Sequence, residues 1–137
     1  MSDAIENLIP HRAPMRFINA LPDCTDTTAT ATACFGENDF AVAGGKVLES
    51  ALVECIAQTA AASRRSRAQS GGPKPAAPVI GMLVAVSGFK IHSRPPAGKT
   101  LRIEIAERRQ LGPMRMISGT IFCDDQIVAA GDLSLYA

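Results

Sequence analysis

Tryptophan is absent from this chain, and aromatic side chains of any kind are few, with one tyrosine and five phenylalanines. An excess of one charge is missing as well, because 14 lysines and arginines face 13 aspartates and glutamates. This balance leaves no broad basic face of the kind that binds nucleic acid unselectively, so nucleic acid is not an expected partner. Closely spaced cysteines are missing too. Cys24, Cys34, Cys55 and Cys123 are scattered, with only His11 and His92 to assist them, which argues against a zinc site and against the disulfide framework of a secreted domain. The four thiols are expected to act as small buried hydrophobes, and no metal or other cofactor is expected. No apolar run approaches the roughly 20 residues that a membrane helix needs. The opening Met1-Ser2-Asp3-Ala4-Ile5-Glu6 is acidic where a secretory signal is basic, so the expectation is a cytoplasmic protein with no membrane partner. A length of 137 residues makes one ordinary domain, and the whole chain, 1–137, is read as such.

What is present is dominated by one helical pattern. From about Gly45 to Arg67, Val47, Leu48, Ala51, Leu52, Cys55, Ile56 and Thr59 recur at three- and four-residue steps. The other faces of this segment are mostly Ala, Val and Gln, which predicts a helix wrapped by protein. Arg64, Arg65 and Arg67 close it with cations suited to the carbonyl end, and Ser70-Gly71-Gly72-Pro73-Lys74-Pro75-Ala76-Ala77-Pro78 then predicts a mobile loop.

Beyond the loop the period changes to two. Val79 to Ser93, Lys99 to Arg109, Arg115 to Cys123 and Gln126 to Leu135 read as strands, expected to be antiparallel neighbours joined by the short segments between them. Another strand, from about Thr25 to Phe35, alternates Thr with Ala ahead of the helix. The predicted order is therefore a short N-terminal helix, a strand, a long helix and four strands. One antiparallel sheet curled around one apolar helix satisfies both burial patterns: an α+β, hotdog arrangement. Such a sheet exposes an edge strand, and pairing with a second copy across a two-fold axis, as a double-hotdog homodimer, is the expected remedy.

Glu54 lies within that apolar helix. Burying an ionised carboxyl costs several kcal/mol unless it is paired or protonated, and acids so placed collect at sites of proton transfer. Glu54 is therefore a candidate general acid or base, the alternative being a structural ion pair. His11, fixed between Pro10 and Pro14, is a candidate proton carrier or a group that orients substrate, the alternative being a histidine that holds a loop. His92, at a strand end, reads as solvated or structural. Gly44 and Gly45, in Asp39-Phe40-Ala41-Val42-Ala43-Gly44-Gly45-Lys46, are expected to lead into the helix, where unpaired N–H groups can receive a developing oxyanion. The alternative is an ordinary glycine-rich entry. Ala57, Ala60 and Ala61 leave room for a ligand or serve close packing equally.

Four segments together carry a resemblance: Pro10-His11-Arg12-Ala13-Pro14-Met15, Glu54-Cys55-Ile56-Ala57-Gln58, Gly81-Met82-Leu83 and Pro96-Ala97-Gly98-Lys99-Thr100-Leu101. In order and spacing, over nearly the whole chain, they resemble the 3-hydroxyacyl-acyl-carrier-protein dehydratases of the hotdog superfamily. The likeness is closer to the dehydratase-like proteins of aryl-polyene-type clusters than to the housekeeping fatty-acid enzymes. The resemblance implies a homodimer with a pantetheine tunnel between subunits. It implies dehydration of a 3-hydroxyacyl thioester, carried on acyl-carrier protein or coenzyme A, to the trans-2-enoyl product of fatty-acid or polyene-type biosynthesis. The family's helix Glu falls on Glu54 and its Gln on Gln58. Counting back from Glu54 puts Phe40 where the housekeeping enzymes carry the His of a His-Phe-Pro-Gly segment. Glu54 and His11 are thus the expected catalytic residues, and Phe40, Gly44, Gly45 and Gln58 the expected substrate-binding positions.

Three readings follow: a dehydratase, a thioesterase in which Glu54 activates water, and a non-catalytic acyl-thioester-binding subunit that has lost the usual His. For an acidic carrier protein, Arg64, Arg65, Arg67, Lys74, Arg94 and Lys99 form a candidate docking surface.

Overall fold

The computed structural model describes residues 5–69 and 82–136. A single 3-10 turn, Ile5–Asn7, precedes strands β1 (Ile18–Cys24) and β2 (Thr28–Cys34). The two-residue strands β3 (Val42–Ala43) and β4 (Lys46–Val47) then lead to helix α1 (Glu49–Gln69), followed by β5 (Met82–Ile91), β6 (Thr100–Leu111), β7 (Met114–Cys123) and β8 (Gln126–Tyr136). Six strands form one sheet in the order β1-β2-β6-β7-β8-β5, antiparallel throughout, while β3 and β4 pair separately.

Period-two patterning puts one face of this sheet against α1. In β2, Ala29, Ala31 and Ala33 are buried, and in β6 Leu101, Ile103 and Ile105 are. Because side chains alternate between the two faces of a strand, the intervening Thr and charged residues point outward. From the helix, Leu52, Ile56 and Thr59 return the contact, all three fully buried. Gly119 in β7 lets the two layers approach, since a Cβ there would stand 2.6 Å from Ile56 Cγ2.

Four features of the fold differ from the expectations. The helix begins at Glu49, not Gly45, because Gly44 and Gly45 adopt positive φ, 64° and 75°, and form the tip of the β3–β4 hairpin. Two consecutive left-handed residues are what a two-residue hairpin turn requires, and Asp124 and Asp125, φ 51° and 63°, make the same kind of turn between β7 and β8. Strand β1 was not expected. Its sequence, Ile-Asn-Ala-Leu-Pro-Asp-Cys, breaks alternation and contains Pro22, and its register against β2 slips twice. An edge strand tolerates both irregularities.

The four C-terminal strands are not all sequential neighbours, because β5 pairs with β8 and the chain then crosses to β6. The crossing segment is held by the small hairpin: Val47 N donates to Pro95 O at 2.9 Å, and Ala97 N to Gly45 O at 2.9 Å. Gly98 N continues to Phe35 O at 2.8 Å, bringing the chain beside β2. Strand β5 thus forms one edge of the sheet, with Leu83, Val84 and Val86 exposed. The loop expected over Ser70–Pro78 and the first residues of the expected Val79 strand lie outside the described residues.

The cysteines also divide. Cys55 and Cys123 are buried, whereas Cys24 is half-buried and Cys34 exposed. Cys34 follows Ala33 on the outward face of β2, so strand alternation overrides its apolar character. Burial, aided by the charge of Glu54, pushes the Cys55 thiol well up, away from thiolate chemistry.

Candidate active site

The sheet covers only one side of α1, and the opposite side carries Ser50, Val53, Glu54, Ala57, Ala61 and Arg65, all at least partly exposed. The expectation of a helix wrapped on every face is corrected by this stripe. Glu54 is accordingly not sealed in a core; its side chain is 34% exposed. A carboxylate at this depth keeps contact with water while remaining flanked by apolar wall, a position open to a ligand.

Against Glu54 stands His11, delivered by the segment ahead of β1. His11 Nε2 lies 3.5 Å from Glu54 Oε1, and the imidazole is 30% exposed. Its Nδ1 is buried and has no hydrogen-bond partner among the described residues. The segment is shaped by a tight turn in which Met15 N and Arg16 N both donate to Arg12 O, at 2.8 and 3.1 Å. The Arg12 guanidinium donates to Ile9 O and His11 O, both at 2.9 Å, pinning the backbone on either side of Pro10.

Gln58 ties the segment to the helix. One turn beyond Glu54, its side chain is essentially inaccessible and fully engaged. Its Oε1 accepts from Phe17 N at 2.9 Å and Ile18 N at 3.4 Å, and its Nε2 donates to Met15 O at 2.8 Å and to Glu54 Oε1 at 3.3 Å. With both amide protons and the carbonyl committed, Gln58 has nothing left to offer a substrate. It fixes the entry to β1 and aims the Glu54 carboxylate.

Phe40 is 55% exposed and sits with its ring centroid 5.9 Å from that of Phe17, which in turn packs edge-on against Phe35 at 5.3 Å. Through Phe17, whose N–H is held by Gln58, Phe40 joins the same neighbourhood, and exposed Met15 adds to its apolar surface. Gly44 and Gly45 are not brought into it as expected. They occupy the tip of the β3–β4 hairpin, so the argument that placed their N–H groups at the first turn of the helix does not hold.

The cations proposed for docking are largely occupied. Arg94 donates to Val47 O, Ala43 O and Lys46 O at 3.0, 2.8 and 3.0 Å, and so clamps the small hairpin. Arg67 reaches Thr25 O at 2.7 Å and Glu107 at 3.0 Å, and Lys99 pairs with Asp124 at 3.1 Å. Lys74 lies outside the described residues, and Arg65 and His92 are exposed. Among the described residues no group of three or more His, Cys, Asp or Glu could hold a metal, and no helix is long and apolar enough to cross a membrane.

Sequence reasoning missed two features. One is the clamping role of Gln58, which the resemblance had singled out as a substrate-binding position and whose side chain is instead spent on Met15, Phe17, Ile18 and Glu54. The other is the buried Arg115, whose guanidinium meets Glu107 Oε1 at 2.7 Å from an inward position of β7.

A family model described as ApeP dehydratase, of the ApeP-like family, matches residues 3–137. The chain belongs to the ApeP-like dehydratase family. No curated protein matches its sequence. Among solved structures, the dehydratase heterocomplex ApeI:P from Xenorhabdus doucetiae is similar with a TM-score of 0.85 at 18% identity, covering 99% of this chain and 91% of that one. The HP0420 homologue from Helicobacter felis gives 0.72 at 12% identity over 100% and 92% of the two chains. The E. coli PaaI protein of the phenylacetic acid degradation operon gives 0.68 at 13% identity over 85% and 81%. The ApeP-like chain therefore has the hotdog fold.

Proposed function

We propose that this ApeP-like protein removes water from 3-hydroxyacyl thioesters, carried on acyl-carrier protein or coenzyme A, to give trans-2-enoyl thioesters, with His11 and Glu54 as its proton-transferring pair. The observation that carries the reading is the approach of His11 Nε2 to Glu54 Oε1, 3.5 Å, at a half-open position on α1. Elimination needs a base for the proton on C2 and an acid for the hydroxyl on C3. Neutral His11 takes the C2 proton as the C2–C3 double bond forms. Glu54, acting as the acid in this step, gives a proton to the departing hydroxyl, which leaves as water. Transfer of the captured proton from His11 to Glu54 across their short separation restores both groups. No cofactor enters this scheme. Gln58 acts on the pair from behind, and Phe40 with Met15 offers apolar surface to the acyl chain.

The reaction is tested by mass-spectrometric detection of water loss from a 3-hydroxyacyl thioester, on carrier protein and on a pantetheine mimic, with the hydration direction run as well. A drop of about 10²- to 10⁴-fold in Glu54→Gln is expected, the usual worth of a positioned acid or base, with His11→Ala in the same range. Undiminished turnover in Glu54→Gln would remove the carboxyl from the mechanism. Release of free thiol in place of water loss would make the protein a thioesterase.

A second reading rests on two points: the count back from Glu54 puts Phe40 where the housekeeping enzymes keep a histidine, and a solved structure similar to this chain belongs to a dehydratase heterocomplex. In that reading the chain binds acyl thioesters beside an active homologue. Saturable binding without turnover, unchanged in Glu54→Gln, is its signature. In either reading the exposed edge of β5 is the surface through which the sheet continues into a second subunit, a copy of this chain in the first case. A cytoplasmic setting suits both.

A further inference from the structure

At the end of α1 remote from Glu54, three guanidiniums surround a single carboxylate. Arg115 Nε donates to Glu107 Oε1 at 2.7 Å, and Arg67 Nη1 to Glu107 Oε2 at 3.0 Å. Both carboxylate oxygens are thereby used, and Arg64 joins the cluster without forming an ion pair of its own. The Arg115 side chain is 4% exposed, yet its Nη2 has no partner among the described residues, and neither has the buried Nη1 of Arg64.

Formal charge makes the deficit plain: Arg64, Arg67 and Arg115 against Glu107 leave two positive charges without an anion among the described residues. Arg64 is close enough to feel this directly, its guanidinium eased below the ordinary value by burial and then by the charge of Arg115, with Glu107 opposing. The carbonyl end of α1 contributes only about half a negative charge, too little to complete the balance. Buried charged donors are normally satisfied, so two guanidinium donors left unfilled among the described residues of one cluster point to a further acceptor. Water would fill a donor but bring no charge, and a carboxylate would bring two oxygens and a single charge; a phosphate-type oxyanion supplies more acceptors and a charge of about −1.5 to −2, which matches the deficit.

We propose that Arg64 and Arg115 form a binding site for a phosphate-type oxyanion at the C-terminal end of α1. Arg64 is its movable side. It makes no hydrogen bond among the described residues, so it swings outward to admit the ion without breaking one, whereas Arg115 is fixed by Glu107. With ten residues at about 1.5 Å rise between Glu54 and Arg64, the site lies about 15 Å along the helix from the carboxylate, and its occupation does not depend on how the proton pair works. The oxyanion has two possible sources, free inorganic phosphate or the phosphate of a thioester carrier.

The test follows thermal stability and calorimetric binding of the full chain with inorganic phosphate, coenzyme A and pantetheine, against sodium chloride at matched ionic strength. The expected result is saturable stabilisation by phosphate that chloride does not reproduce. It should weaken by about 10-fold or more in Arg64→Gln and in Arg115→Met, as loss of a charge-assisted hydrogen bond implies. Stabilisation by coenzyme A but not by pantetheine, lost in the same variants, assigns the phosphate to the carrier; a response to phosphate alone assigns it to the free ion. An equal effect of chloride would mean simple screening of three cations and would overturn the site. So would a full phosphate response in Arg64→Gln, the variant that removes no observed bond and is expected to fold whatever Arg115→Met does.

Discussion

Two groups of different character approach Glu54 Oε1, the ring nitrogen of His11 at 3.5 Å and the amide N–H of Gln58 at 3.3 Å. Only the first can carry a proton; the second can only hold the carboxylate still. The distinction predicts how substitutions separate. In Gln58→Leu the N–H groups of Phe17 and Ile18 lose their buried acceptor, which costs about 1–3 kcal/mol per unsatisfied group. Urea unfolding should therefore show a lower midpoint for Gln58→Leu, while Glu54→Gln, at a half-exposed position, should leave the midpoint nearly unchanged. An unaltered midpoint in Gln58→Leu would show that the clamp contributes no stability. At this scale the sequence was only partly legible. Glu54 and His11 stood out as chemically apt, but nothing in their spacing shows that they meet, because the backbone bonds that bring them together belong to Arg12, Met15 and Phe17.

Among the elements, α1 and the central strands followed from periodicity because their burial is one-sided and regular. What escaped was governed by contacts distant in sequence. The β3–β4 hairpin claims Gly44 and Gly45 because the Arg94–Gly98 crossing supplies their partners, and β1 is a strand because β2 offers it an edge. Helix and sheet are joined most tightly where Ile56 covers Gly119. Gly119→Ala should destabilise by about 1–3 kcal/mol through overpacking, and Ile56→Ala in the same molecule should recover part of that loss instead of adding to it. Additive effects in a double-mutant cycle would mean that the layers shift freely.

The far end of the helix carries a pH signature as well. Burial alone would raise the Glu107 carboxyl, but the hydrogen bond and charge of Arg115, with the charges of Arg67 and Arg64, outweigh it and hold the group below its ordinary 4.5. A carboxyl lowered on folding stabilises the protein above its unfolded pKa and loses that contribution as pH falls through the folded one. The stability gap between wild type and Glu107→Gln should be full at neutral pH and close progressively below about pH 4.5. A gap independent of pH in acid would show that the ion pair is not its source.

For the molecule as a whole, the sheet has two ends of unequal character. Both edges slip register against their neighbours, but β1 also carries Pro22, whereas β5 presents a ten-residue edge with Leu83, Val84 and Val86 exposed. An uncovered apolar edge is a place for another strand. Sedimentation should find the chain dimeric, and lysines at Val84 and Val86 should return it to a monomer. A wild-type monomer that pairs only with an active homologue would select the binding-subunit reading. Fold class was legible at this scale because two burial patterns admit few shared solutions; the order of strands was not, since β5 could pair with β6 or β8 on pattern alone.

The Gln58 clamp separates two distances that a binding pocket usually has to change together. By gripping the chain at Met15, Phe17 and Ile18, it anchors the entry to β1 regardless of what precedes it. The stretch from Pro10 to Pro14, held by Arg12 at Ile9 O and His11 O, then sets the reach of the imidazole. Residues gained or lost there would move the imidazole toward or away from the helix, so descendants of this scaffold could explore new reach, and new cargo, while Gln58 keeps the entry to β1 in place.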